Sequence, residues 1–212
     1  MLIHLVKKDI LISKKYAQLV ILMAIGIPLF IGWRMPEFAQ YTGFALAVVF
    51  SEFMFFQNLS MKENQYSKAS ALLCSTPYPS RGLVQSKYIV FILIFVYCVL
   101  IYWIESLFIP QVGSMNLTGV LAVFLGASVV YSIYVPLQYK LGYDKTKIFF
   151  MLVIMASPVS LAAFAKYGNL RPDFLDMIPV LLQNVLLFMA GAAVLLISMK
   201  ISVHIYRHKE LI

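Results

Sequence analysis

Residues 88–109 have the sequence YIVFILIFVYCVLIYWIESLFI, in which Glu105 is the only charged residue. About 20 consecutive apolar residues suffice to cross the hydrocarbon core of a bilayer as a helix. This stretch therefore predicts a transmembrane helix. Comparable stretches occur at 16–33, 38–57, 117–138, 148–165 and 177–199. Together they predict an all-α polytopic membrane protein with six spans.

The composition supports the same fold class. Of the 212 residues, 62% are apolar and 12% are charged, whereas soluble domains average about 45–50% and about 25%. These values exclude a water-soluble enzyme, a disordered chain and a fibrous repeat. Because six spans and their loops use the whole length, we expect residues 1–212 to form a single transmembrane domain.

The distribution of basic residues predicts the orientation. Six spans place both termini on one side, and Lys and Arg collect in cytoplasmic loops. Fourteen of the 17 basic residues lie in the terminal segments and in the loops after spans two and four. The opposite side has only Arg34, Lys166 and Arg171. We therefore expect cytoplasmic termini, and the net charge of +8 needs no nucleic-acid partner.

The sequence contains no common signature of catalysis or nucleotide binding. It lacks a P-loop, a zinc-protease motif and a nucleophile elbow, and Cys74 and Cys98 have no metal-ligand spacing. We expect no catalytic, cofactor or metal site in this chain, and therefore no enzyme.

Two carboxyl groups fall within predicted spans. A carboxylate at the bilayer centre costs about 2.5–3.5 kcal/mol on insertion scales, which makes such a residue a functional candidate. Glu52 is predicted near the cytoplasmic end of span two, and Glu105 near the external end of span three. Snorkelling or a hydrogen bond between helices is favoured over substrate contact for both.

Small residues recur at intervals of four along span two, and such a stripe lets two helix backbones approach closely. The stripe predicts either a dimer contact or packing against another span of the same chain, and both alternatives stay open. Its members are Ala39, Gly43, Ala47 and Ser51.

The longest predicted cytoplasmic loop, 58–87, contains a second candidate site. Ser60 and Glu63 match a capping box, which predicts a short amphipathic helix over 63–75 that ends before Pro77 and Pro79. Such a helix either contacts a partner protein or lies on lipid headgroups. The candidate contact residues are Lys62, Glu63, Tyr66, Lys68, Leu72, Leu73 and Arg81.

The N-terminal segment, 1–15, is predicted to be an interfacial helix. Its apolar and basic residues separate imperfectly around a helix, because Asp9 falls on the apolar side. Lipid binding alone does not explain an acid there, so we expect Asp9 to face a protein neighbour.

Two segments resemble a known family. Lys7-Lys8-Asp9 precedes the first span, and 72–88 has the sequence LLCSTPYPSRGLVQSKY. With the length and organisation of the whole chain, they resemble the small six-span permease subunits of the ABC type-2 exporter family. Where that family more often has Leu-Pro, this chain has Thr-Pro-Tyr-Pro.

The resemblance implies a transmembrane subunit of an ATP-driven exporter in a bacterial plasma membrane. Two such subunits, identical or different, would form the pathway. Separate cytoplasmic ABC ATPase subunits would bind ATP and Mg and engage segment 63–75. The cargo would be a peptide, an antibiotic or a lipid-like amphiphile. The residues alone leave two alternatives open, a secondary transporter and a non-transporting immunity or scaffold protein.

Overall fold

The computed structural model describes residues 2–34, 42–65, 80–109, 113, 116–167 and 179–210. These ranges form helices and contain no strand. In chain order the helices are α1 (Leu2–Ile12), α2 (Lys14–Arg34), α3 (Phe44–Gln65), α4 (Ser80–Phe108), α5 (Leu117–Leu141), α6 (Tyr143–Tyr167) and α7 (Val180–Glu210).

Five of the described helices, α2, α3, α4, α5 and α7, are long and apolar enough to cross a membrane. The all-α polytopic membrane fold is therefore confirmed. Helix α6 contains the remaining predicted span, 148–165, but its side chains are described only as far as Ser157. That the chain has six spans therefore stays a prediction.

Helix α3 lies at the centre of the bundle. In its most apolar stretch 67% of the residues are buried, whereas the corresponding value for α7 is 11%. Helix α2 packs along α3, α5 packs along α7, and α1 lies against α4. Aromatic rings fill much of the interior, and the rings of Phe91 and Tyr131 stack with their centroids 4.3 Å apart. The polar groups of α3 are consequently held inside protein.

The outer surface of the bundle is apolar. Trp103, Leu107 and Leu181 are among many large apolar side chains that are mostly exposed. Contiguous apolar surface of this extent is rare on soluble monomers and typical of surfaces that contact a membrane. The exposed faces of α4 and α7 therefore fit contact with lipid.

Several helix ends meet at one face of the bundle. The ring of Tyr139, near the end of α5, lies 5.2 Å from that of Tyr206, near the end of α7. The ammonium of Lys87, near the start of α4, lies 5.0 Å from the same Tyr139 ring. Ser86 contacts α1. Helix α1 and the end of α7 thus lie at the same face.

The predicted capping box on this face is wrong. Helix α3 continues through Ser60 to Gln65, and α4 begins at Ser80, ahead of the predicted span 88–109. Ser60 is no N-cap, because its hydroxyl donates to the Phe56 carbonyl one turn earlier, at 2.7 Å. The helix continues there because Leu59 and Ser60 are buried against the bundle.

Candidate functional site

A cluster of polar and charged groups joins α1 to the adjoining ends of α3, α4 and α5. We call this cluster the junction. It consists of Lys8, Asp9, the carbonyl of Ile12, Lys62, Glu63, Ser86, Lys87 and Tyr139.

The first contact of the junction connects α1 to α4. Asp9 is fully buried, and one of its carboxyl oxygens, Oδ2, accepts a hydrogen bond of 2.8 Å from the Ser86 hydroxyl. The Lys8 ammonium lies 3.0 Å from the other oxygen, Oδ1, as an ion pair without hydrogen-bond geometry. The expected protein neighbour of Asp9 is thereby confirmed.

Burial raises the pKa of Asp9 above its ordinary value, because water no longer solvates the charged form. The ammonium groups of Lys8 and Lys87 and the Ser86 hydrogen bond lower the pKa in part, and the Glu63 carboxylate raises it further. The ammonium groups of Lys8 and Lys87 thus offset part of the cost of burying Asp9 at the contact between α1 and α4.

The second contact connects α1 to α3. The Lys62 ammonium, in the last turn of α3, donates a hydrogen bond to the carbonyl of Ile12, the final residue of α1. The last carbonyls of a helix have no partner within it, and a cation there is stabilised by the helix dipole. Lys62 therefore fixes the end of α1 to the end of α3.

The third contact connects α3 to α4. The Lys87 ammonium donates to the Glu63 carboxylate at 2.7 Å. The Lys87 side chain is 6% exposed and that of Glu63 is 28% exposed, so the pair is mostly shielded from water. The sequence places Lys87 in loop 58–87, whereas in the structure it belongs to α4. Its ammonium is held by a carboxylate and an aromatic ring.

A smaller polar cluster lies one turn further into the bundle. The hydroxyl of Ser60 lies 3.1 Å from that of Tyr134 and accepts a hydrogen bond from the Gln138 side chain. All three residues are buried. This cluster ties the end of α3 to α5, so α3 is held on both sides at this level.

The predicted contact residues divide into three groups. Lys62 and Glu63 lie in the junction. Arg81 is exposed in the first turn of α4. The others, together with the predicted proline elbow, lie outside the described residues; they are Tyr66, Lys68, Leu72, Leu73, Pro77 and Pro79.

The small-residue stripe packs inside the chain where the structure describes it. A Cβ placed on Gly43 would lie 3.5 Å from the Cα of Pro28 in α2. Ala47 and Ser51 are buried. Of the two alternatives for the stripe, a dimer contact or packing within the chain, these residues follow the second. Ala39 lies outside the described residues.

Glu52 is buried inside the bundle. It is eight residues before Ser60 in a continuous helix, roughly 12 Å along the axis. Only 4% of it is exposed, so its carboxyl group lies among neighbouring helices. Whether Glu52 snorkels stays a prediction. Glu105 is 7% exposed, and neither of its carboxyl oxygens has a hydrogen-bond partner within the described ranges.

Sequence reasoning missed Ser86, Lys87 and Tyr139 as members of the junction. Ser86 meets Asp9 across 77 residues of sequence, and a single sequence does not reveal such a contact. The available signal was Asp9 itself, an acid on the apolar side of an amphipathic helix.

The family described as "ABC-2 family transporter protein" matches residues 4–207 of the chain. The match includes the junction, the helices α2, α3, α4 and α5, and α7 as far as Arg207. No curated protein and no solved structure matched the chain at a significant level.

Proposed function

The chain belongs to the ABC-2 transporter family and is a permease, and from this premise we propose that it is the membrane subunit of an ATP-driven exporter. Two such subunits, identical or different, form the pathway across a bacterial plasma membrane. Both termini are cytoplasmic, in keeping with the distribution of basic residues. The cargo is a peptide, an antibiotic or a lipid-like amphiphile.

Energy enters this subunit through contact with another protein. The sequence contains no P-loop motif, so we assign ATP and Mg to separate cytoplasmic ATPase subunits. The proposed contact is segment 63–75, which begins in the last turn of α3. Tyr66, Leu72 and Leu73 are its anchors, because buried aromatic and aliphatic side chains often dominate interfaces. Lys68 and Arg81 orient the partner through charge.

The junction is the observation that carries this proposal. Lys87 and Glu63 form an ion pair across the base of the loop between α3 and α4. Ser86 and Lys62 attach the same base to α1. A force applied to the loop would therefore act on α1, α3 and α4 together. Rigid helices connected in this way are able to transmit movement. We therefore assign Lys62 and Glu63 to holding the base of the loop, in place of the partner contact that the sequence predicts for them.

Co-purification with a candidate ABC ATPase, sought in a reading frame adjacent to the gene of this chain, tests the contact. The double variant Tyr66→Ala, Leu73→Asp removes two anchors and should leave an inserted chain that no longer retains the ATPase. Leu11→Asp is the matched control, because Leu11 is exposed in α1 on the same face of the bundle and outside the loop. We expect this variant to retain the ATPase.

Retention of the ATPase by the double variant, at the level of the unmodified chain, would contradict the assigned contact. A correctly inserted, unmodified chain that fails to bind the ATPase would favour a non-transporting immunity or scaffold protein.

A further inference from the structure

A small, partly open cavity lies between α3 and α5. Its volume is about 10 Å³, which is close to the minimum that accommodates one water molecule. The residues that line it include Glu52, Phe53, Phe56, Ala127, Tyr131 and Tyr134.

Glu52 provides the acid in this lining. It is 96% buried, since its exposed fraction is 4%, and its oxygen Oε1 has no hydrogen-bond partner among the described residues. The ion pairs of the described part of the chain join Lys8 to Asp9 and Lys87 to Glu63, and neither includes Glu52. Burial of a carboxylate without a counter-charge is costly, so an isolated acid in such a place is neutral. A cation bound beside Glu52 would supply the partner that its charged form lacks.

The two tyrosine hydroxyls of the cavity are engaged elsewhere. Tyr131 donates to the carbonyl of Lys87 at 3.1 Å, and the Tyr134 hydroxyl lies 3.1 Å from that of Ser60. The cavity therefore combines one carboxyl group with aromatic rings. Carboxylates form strong charge-assisted hydrogen bonds with ammonium groups, and aromatic rings attract the same cations.

We propose that Glu52 and the surrounding rings bind one primary ammonium group, presented by the cargo of the exporter. The cavity admits only the –NH₃⁺ group, which is about as large as a water molecule, while the attached carbon chain stays at the opening. A trimethylammonium group is too large to enter in the same way. The inference rests on the proposed export function and narrows the cargo to amphiphiles that end in a primary amine.

Binding of methylammonium to the full-length chain, purified in detergent and measured by saturation-transfer NMR, tests this site without an ATPase or a transport assay. We expect binding to the unmodified chain and at least tenfold weaker binding to Glu52→Gln. Glu105→Gln is the matched control, because it neutralises another buried carboxyl group with unpartnered oxygens. It should bind methylammonium normally.

A second variant keeps the test valid if Glu52→Gln fails to fold. Ala127 lines the cavity and is 6% exposed, so Ala127→Leu fills the space and should abolish binding while Glu52 remains. Tetramethylammonium should not compete with methylammonium.

Equal binding of methylammonium by the unmodified chain, Glu52→Gln and Ala127→Leu would overturn the site. Absence of binding to the unmodified chain would do the same and leave a water molecule as the occupant. Stimulation of the ATPase without methylammonium binding refutes this site alone. Methylammonium binding without any ATPase interaction refutes the export function and leaves an ammonium site.

Discussion

The ion pair between Lys87 and Glu63 offers a quantitative test of the junction. Glu63→Gln keeps the shape of the side chain and removes its charge. The Lys87 ammonium, in a side chain that is 6% exposed, then loses its carboxylate partner. The Tyr139 ring at 5.0 Å compensates only in part, because a cation–π contact is weaker than a buried ion pair.

The size of the effect follows from the burial of the pair. Fully exposed ion pairs contribute about 0–1 kcal/mol, whereas removal of one partner from a buried pair costs about 3–5 kcal/mol. Here the carboxylate side chain is 28% exposed and the ammonium side chain is 6% exposed, so the pair lies between these limits. We expect a loss of about 2 kcal/mol, or about 30-fold in the unfolding equilibrium constant.

A double-mutant cycle with Glu63→Gln and Lys87→Met isolates the interaction from other effects of each change. Equilibrium unfolding in mixed micelles provides the free energies, and the coupling energy should be about 2 kcal/mol. Asp144→Asn is the control for the loss of an exposed carboxylate in the first turn of α6. A coupling energy below about 0.5 kcal/mol, typical of an exposed pair, would refute the claim that this pair holds α3 and α4 together.

Three further predictions concern packing, protonation and orientation. Gly43→Leu should lower the free energy of unfolding in detergent by about 1–3 kcal/mol through overpacking, because a Cβ on Gly43 would already lie 3.5 Å from Pro28. Gly26→Leu is the control, since a Cβ there would have nothing within 4 Å. Equal melting temperatures of the two variants would contradict the packing of α3 on α2. Because burial raises the pKa of Asp9 in the folded chain, the stability that this group contributes is largest below about pH 4 and falls as the pH rises through the raised pKa. Asp9→Asn should remove this pH dependence of the melting temperature, and an unchanged dependence would exclude Asp9 as its source. In a cysteine-free background, an impermeant maleimide added outside cells should label Asn116→Cys and should not label Asn64→Cys or Lys145→Cys, all three positions being exposed in the fold; the reverse labelling pattern would invert the topology.

The membrane-spanning helices could be predicted from the sequence because each span is determined by local hydropathy. A helix in lipid satisfies its own backbone hydrogen bonds, so its existence does not depend on distant contacts. Helix α4 begins at Ser80 and so includes Lys87, which the sequence places in loop 58–87. The pairing of Lys87 with Glu63 is a contact that local hydropathy does not reveal.

The junction could not be predicted as a unit, since its contacts join residues far apart in sequence. Lys62 meets Ile12 across 50 residues, and neither belongs to a motif that names the other. The capping-box interpretation of Ser60 failed for a related reason. The local pattern is genuine, but burial of Leu59 and Ser60 against the bundle continues the helix through the site where a cap would have begun a new one.

The burial of Glu52 inside the bundle could not be predicted from the sequence, because it depends on how α3 packs against the neighbouring helices. Helix α3 runs on to Gln65, so Glu52 lies 13 residues before its end. The same extension of the helix places Glu63 at the base of the loop.

ATP hydrolysis by the candidate ABC ATPase, reconstituted in proteoliposomes with and without this chain, tests the central claim most directly. We predict that the chain raises the rate of ATP hydrolysis, since an exporter subunit changes the catalytic cycle of the ATPase that drives it. The Tyr66→Ala, Leu73→Asp variant, inserted at the same level, should leave the rate at that of the ATPase alone. A rate that is the same with the unmodified chain, with the variant and with empty liposomes would contradict the account.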